Sequence, residues 1–506
     1  MNQDTVKGAL ERRRPSEAGV NAARVERFLD AAAAAGLELH HFMMVRRDAV
    51  IAEGAWRPYT RGTRHMQHSA TKSWTAAAMG VAVGDGLVAL DDRVIDYFPE
   101  HLPATVSANL AAMTVRDLLT MRTGHRVGIS GGEWRGRNES WVRLFLEVPV
   151  EDAPGGNFMY CSGTSYMLSA IVSKASGKTA HELLDARVFA PLGMHSVTWD
   201  VSPEGYNTGG NGLSCSPEDM AKFGLLHLRG GLWQGQRVLP EAWVRDATRN
   251  QVDVAWIGSL AGMRFSRDGR AEPDASQRRP GYGYQWWMTE DGGFLASGFF
   301  GQRCYVFPAL DLVLVFNAAL SIDDKALKPL IWEHLLPAVD DIVHDGRADD
   351  ALCTRLTALS LPGLPAGLPT SALAQAVNGR LWLAEPNDDG IVSIALAFEH
   401  DRCTFNYVDA RGEHTIVAGI GQQIRGTTTM TGNKLHHEYQ PDTLSVVAQG
   451  VWTTAERFEM RWCFDETTFC DRVACTFENG ALRFERGVNT NSGARVRPGV
   501  QCVAAS

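Results

Sequence analysis

The chain has 506 residues, 45% of them hydrophobic and 21% charged, proportions of an ordinary globular protein with at least two domains. Lys and Arg number 49 against 58 Asp and Glu, a net charge of −9 with no basic run, which argues against nucleic acid or an anionic membrane as partner. No apolar stretch approaches a membrane span, the first twenty residues lack the apolar core of a secretory signal, and nine scattered cysteines without a C-x-x-C pair read as reduced thiols of a cytoplasmic protein.

Asn21 to Ala35 reads as a helix after a polar arm. Phe42 to Trp56 reads as a β-hairpin, with FMMV and AVIA flanking the polar Arg46-Arg47-Asp48 turn. A long helix is expected from about Ala70 to Val83, stopped by Gly84-Asp85-Gly86. Thr114 and Asp117 mark the start of a short helix, Val115 to Met121. Further helices are expected near 165–175, 180–189, 217–228 and 240–247. Strands at 281–288, 293–297, 304–307 and 312–317 follow, then a helix to about Leu336. An early hairpin and late strands, with helices between, predict an antiparallel sheet where the two ends of this segment meet, flanked by helices.

From Asp349 to Ala372, Pro362, Pro365 and Pro369 with interleaved glycines predict a linker. Beyond it the pattern changes to period two, as in Phe458-Glu459-Met460-Arg461-Trp462. Asn479-Gly480 marks a hairpin, and about eight short strands predict a small antiparallel barrel or curved sheet. The expected division is therefore a mixed domain over 1–348, a linker over 349–372 and a β domain of unassigned role over 373–506.

The chemistry centres on His68-Ser69-Ala70-Thr71-Lys72. At the start of a helix, Ser69 and Lys72 share one face and their side chains can meet. Serine alone is a poor nucleophile, and a lysine kept neutral by its surroundings can take its proton. The helix N-terminus adds backbone N–H groups and a dipole that favour an oxyanion there. A serine at a helix start is more often a cap and a lysine one turn later a solvated charge, so the pair gains weight only from its company. Tyr160-Cys161-Ser162, after the turn-rich Pro154-Gly155-Gly156-Asn157, offers a phenol able to relay the proton to a leaving group. Ser297-Gly298-Phe299-Phe300-Gly301-Gln302, between two expected strands, offers a free backbone N–H as a second oxyanion donor.

Ser69-x-x-Lys72, Tyr160-x-Ser162 and the glycine-flanked Gly298-Phe299-Phe300-Gly301-Gln302, in this order, resemble the serine β-lactamase and penicillin-binding-protein superfamily. Within it the chain is most similar to the class C β-lactamase-like branch of D-aminopeptidases, family VIII carboxylesterases and nylon-oligomer hydrolases. LLTMRTGH (118–125) and GGNGLSCSPEDMAKFG (209–224) add to the likeness, which covers about residues 15 to 335. The resemblance implies an α+β fold, an antiparallel sheet flanked by helices with an all-helical subdomain, here followed by the barrel-like domain. It implies a serine hydrolase acting through an acyl-enzyme: Ser69 as nucleophile, Lys72 as base, Tyr160 as proton relay, and the N–H groups of Ser69 and Phe299 as oxyanion hole. No metal or cofactor is implied; the expected partner is a small ester or amide, with homo-oligomerisation left open. A D-amino-acid amidase or peptidase, a weak β-lactamase, and a non-catalytic ligand sensor of the same fold are the alternatives.

Two departures matter. Ser162 stands where relatives usually carry Asn, and Ser297-Gly298-Phe299 lacks the Lys or His of the third motif. Without that cation β-lactams are expected to be poorer substrates than short esters, unless an arginine such as Arg303 restores the charge. Ser162 is a candidate substrate-binding residue, as are Trp286 or Trp287, His125 and Asn211, for which packing or turn roles are at least as plausible. Gly128-Ile129-Ser130-Gly131-Gly132 imitates a nucleophile elbow without its strand-to-helix context, and Ser176-Gly177-Lys178-Thr179 a phosphate loop without its first glycine. His181-Glu182 lacks the second histidine of a zinc motif. The pairs His40-His41 and His436-His437 are expected to be surface histidines.

Overall fold

The computed structural model describes residues 8–126, 134–252, 255–256, 278–322, 324–341 and 345–505. Two compact units divide the chain: Met1–Ala55, Arg61–Ala318 and Asp324–Ala358 form one, and Trp56–Thr60, Ala319–Asp323 and Leu359–Ser506 the other. The Gly128–Gly132 segment lies outside the described residues.

In the first unit the hairpin forms from Leu39–Arg46 and Ala49–Ala55, and its turn residues Arg47 and Asp48 both take positive φ, 51° and 62°. That is the two-residue turn whose twist suits a hairpin. Leu39–Arg46 then pairs antiparallel with Leu312–Ala318, so both ends of the expected sheet do meet. The sheet continues through Gln302–Phe307, Phe294–Gly298 and Trp287–Met288, while Glu11–Arg12 adds a parallel edge beside Ala49–Val50. Every residue of Leu39–Arg46 and of Leu312–Ala318 is buried, because helices cover both faces of the sheet. One such helix, Pro217–Leu228, starts with a reciprocal Ser216/Asp219 capping box and a proline in its first turn.

The long helix runs Thr71–Gly84 and is buried over its first twelve residues. Four alanines and a glycine in that stretch let neighbours approach: Trp74 stacks on Phe223 with ring centroids 3.7 Å apart, and Trp243 lies over Gly80. Asn21, Thr114 and Ser140 cap further helices through their side chains.

The second unit is a barrel of nine strands with a tenth alongside. Its order is Gly412–Ile420, Arg402–Asp409, Ser393–Phe398, Leu381–Ala384, Val500–Ala504, Ala481–Val488, Cys470–Glu478, Arg457–Cys463 and Leu444–Trp452. Gly419 and Ile420 pair in parallel with Gln449 and Gly450 and close the ring, and Ile424–Thr428 pairs with the other half of Leu444–Trp452. Phe458, Met460 and Trp462 all have zero exposure, the alternation read from sequence. Closure removes all but that one edge.

Five expectations change. The strand expected over 281–288 survives only at Trp287–Met288, because Gln285 takes a left-handed φ of 61° that no strand accommodates. The first part of the segment expected as linker belongs to a helix, Gly346–Ala358, and a further helix, Ala372–Val377, begins where that segment ends. Ten strands stand where about eight were expected. Cys463 and Cys470, register partners on adjacent strands, form a disulfide; the other seven cysteines are free, all but Cys353 buried. His40, His41 and His436 are buried rather than exposed, since their segments are covered on both sides. Among the described residues no helix is long and apolar enough to cross a membrane, and no cluster of His, Cys, Asp or Glu forms a metal site.

Candidate active site

Ser69 sits in a tight turn, His68–Ala70, that runs straight into the long helix. His68 adopts a left-handed φ of 47° immediately before it. A non-glycine residue held there stores about 1–3 kcal/mol of strain, and the surroundings over-determine it. The lead-in strand His65–Met66 pairs with Leu213–Cys215, and Gln67 N donates to Leu213 O at 2.9 Å. On the far side the His68 ring packs edge-on against Phe300, 5.2 Å between centroids.

Lys72, one turn along, is 1% exposed. Its Nζ is 3.1 Å from Ser69 Oγ, 3.1 Å from Ser162 Oγ and 2.7 Å from Gly210 O. No carboxylate is among these partners, and burial lowers the amine from 10.5 to about 7. The Tyr160 ring lies beneath the amine, 4.9 Å from Nζ to its centroid. Desolvation pushes the phenol up, while side-chain hydrogen bonds with Ser69 and Trp287 and the charge of Arg303 oppose the rise. The phenol therefore stays protonated through the neutral range.

Two glycine contacts bring these elements together. A Cβ at Gly210 would stand 2.8 Å from Ser162 O and 2.9 Å from Ser162 Cβ, so a bare backbone is needed for its carbonyl to reach Lys72. A Cβ at Gly298 would stand 2.1 Å from Gln67 O and 3.2 Å from Ala70 N, so the strand edge lies directly on the Ser69 turn. Phe299 follows that glycine, half-exposed, and Phe300 turns the chain through a left-handed φ of 59°. Gln302, fully buried, donates to Phe299 O at 3.0 Å and Ala318 O at 2.9 Å and accepts from Asn317 Nδ2 at 3.1 Å. Arg303 pairs in register with Ser297 and donates to Gly298 O and, at 3.0 Å, to Gln302 O.

Ser69, Lys72, Tyr160 and Ser162 are thus brought together, with Phe299 beside them. The remaining sequence candidates are placed differently. Trp286 has no exposed surface and packs among Phe223, His227 and Phe294; its neighbour Trp287 stands against Tyr160, 5.1 Å between centroids. His125 is 4% exposed, bonded to Thr123 Oγ1 at 2.9 Å and set edge-on to Phe145, and burial lowers it to about 4. Asn211 is half-buried next to Gly210; its carbonyl accepts from Trp199 Nε1 and Thr208 Oγ1, and its side-chain amide has no partner among the described residues. Gly210 and Gln302 were not assigned roles from sequence, although each lies inside a motif named there; of the two tryptophans, it is Trp287 that stands at the site. Ser176 ends one helix and Thr179 caps the next, a structural use of the loop between them.

Residues 22–335 match the beta-lactamase family, more than half of the chain. Over 290 residues the chain is 26% identical to the 6-aminohexanoate-dimer hydrolase of Paenarthrobacter ureafaciens, covering 54% of this chain and 71% of that protein. Esterase EstB of Burkholderia gladioli is 30% identical over 171 residues, 31% of this chain and 43% of its own. A D-aminopeptidase of Brucella anthropi is 28% identical over 172 residues, 30% of this chain and 31% of its own. Among solved structures, a Bacillus anthracis protein provisionally described as a 6-aminohexanoate-dimer hydrolase superposes with a TM-score of 0.50 at 18% identity, covering 65% of this chain and 86% of that one; this likeness concerns the fold.

Proposed function

The chain belongs to the beta-lactamase family, and from that premise we propose that it is a serine hydrolase cleaving a small ester or amide through an acyl-enzyme on Ser69. The observation that carries this reading is the buried, carboxylate-free amine of Lys72 set 3.1 Å from Ser69 Oγ. With its proton removed, the amine keeps two N–H bonds and one lone pair. Gly210 O accepts one hydrogen and Ser162 Oγ the other, which leaves the lone pair facing Ser69 Oγ.

In the first step Lys72 takes the Ser69 proton as Oγ attacks the substrate carbonyl. The N–H groups of Ser69 and Phe299 stabilise the negative oxygen of the tetrahedral intermediate. The Tyr160 phenol passes a proton to the departing alkoxide or amine, and the lysine proton restores it. Water then attacks the acyl-enzyme by the same route in reverse.

Relatives named as an amide-dimer hydrolase, an esterase and a D-aminopeptidase support an ester or amide substrate and leave the choice between them to experiment. A fluorophosphonate probe tests the nucleophile. Labelling and turnover are expected to vanish in Ser69→Ala and to survive in Ser130→Ala, with the modified peptide identified by mass spectrometry. Retained labelling in Ser69→Ala with loss in Ser130→Ala would reverse the assignment. An intact protein that neither labels nor turns over p-nitrophenyl esters, D-amino-acid anilides or nitrocefin would favour the ligand sensor.

A further inference from the structure

We propose that Arg303 is a positioning residue for the oxyanion hole. By holding the Gly298 carbonyl, it fixes and polarises the peptide whose N–H, that of Phe299, receives the developing charge. The inference rests on the acyl-enzyme reading with Ser69 as nucleophile.

An N–H and the carbonyl across the same peptide bond share one electronic system. A donor on the oxygen draws electron density from the nitrogen and makes its hydrogen a better donor, and a charged donor does so more strongly. The peptide from Gly298 to Phe299 receives such a donor from Arg303, while the next carbonyl, Phe299 O, is held by the buried amide of Gln302. Both sides of Phe299 are therefore anchored, and the glycine contact on Gln67 and Ala70 presses this peptide onto the Ser69 turn. Arg303 forms no ion pair with any described residue; its guanidinium donates to Gly298 O and Gln302 O. A cation lodged on backbone carbonyls, in register opposite Ser297, acts here through the peptide.

The test compares Arg303→Gln and Arg303→Lys with the parent on p-nitrophenyl acetate and on a p-nitrophenyl ester whose acyl chain ends in a free carboxylate. Arg303→Gln is expected to lower kcat about tenfold on both esters with KM within about twofold, because a weakened donor acts on the transition state and not on ground-state binding. Affinity for a boronic acid that mimics the tetrahedral intermediate should fall by the same factor, and Arg303→Lys should recover part of the loss. Unchanged kcat and boronate affinity would overturn the proposal. So would a loss confined to KM for the carboxylate ester, which would make Arg303 a substrate anchor. If Arg303→Gln does not fold, as judged by circular dichroism, Arg303→Lys decides alone: kcat a few-fold lower supports the proposal and an unchanged kcat overturns it. Turnover surviving in Ser69→Ala would overturn the underlying reading separately.

Discussion

The amine of Lys72 is buried among a serine it faces, a second serine and a backbone carbonyl, and that burial sets its protonation. Because desolvation disfavours the charged form, the amine loses its proton near pH 7, and the form able to accept a proton becomes populated above that value. The profile of kcat/KM for a neutral ester is expected to rise with pH through about 7 and then level. Tyr160, whose phenol is held up by burial, should contribute no falling limb in the neutral range. A rising limb near 10 would show that the lysine is not desolvated in solution. Lys72 and Tyr160 both contact the same serine, so their losses should not add. Lys72→Ala and Tyr160→Phe are each expected to cost on the order of a hundredfold in kcat, and the double variant little more. Additive losses would assign one of them to support of the fold. Serine, lysine and tyrosine were legible from sequence because their types and order carry chemistry. Gly210 was not, because a backbone carbonyl leaves no residue-type signal.

Elements position these groups through contacts that only glycine permits. Gly298 brings the strand Phe294–Gly298 against the Ser69 turn, with no room for a methyl group beside Gln67 O. Gly298→Ala must push the strand edge outward, and a shift near 1 Å at reacting groups costs about a hundredfold in rate. Far-ultraviolet circular dichroism should stay native while kcat falls by roughly that factor; full activity would show that the edge is not part of the site. Helix ends were well marked in the sequence, as the Thr114–Asp117 and Ser216–Asp219 capping boxes illustrate. The strand expected at 281–288 was not, because a positive φ at Gln285 follows from its tertiary contacts. The Gln285 side chain donates to Leu118 O and Leu119 O and accepts from Ser165, holding the backbone in a kink no local pattern announces.

At the scale of the molecule, the unit boundaries do not follow the chain. The second unit takes in Trp56–Thr60, far upstream of its barrel strands. Tyr59 there is 1% exposed, its hydroxyl donating to Thr467 O at 3.2 Å and lying 3.8 Å from Cys470 Sγ. Replacing a buried aromatic by alanine typically costs about 3–5 kcal/mol. Tyr59→Ala is accordingly expected to destabilise the barrel unit by about that amount, read as an earlier transition in denaturant unfolding followed by tryptophan fluorescence. An unchanged transition would show that the inserted segment is peripheral to the barrel.

By itself the sequence determined what short-range periodicity and residue chemistry can encode. These are the α+β first part with its meeting ends, the all-β second part with its Asn479-Gly480 turn, and the Ser69, Lys72 and Tyr160 constellation inside a beta-lactamase family segment. Tertiary structure alone decided what depends on partners distant in the chain. It set the burial of His40 and His41, since a strand's alternation separates two faces but does not say whether both are covered. It closed the barrel by joining Gly419 to Gln449, and it sorted Trp287 to the site and Trp286 to the core. It also set the state of Lys72. A lysine's charge is fixed by chemistry in water, but whether it serves as a base depends on the desolvation and acceptors that only the folded chain assembles.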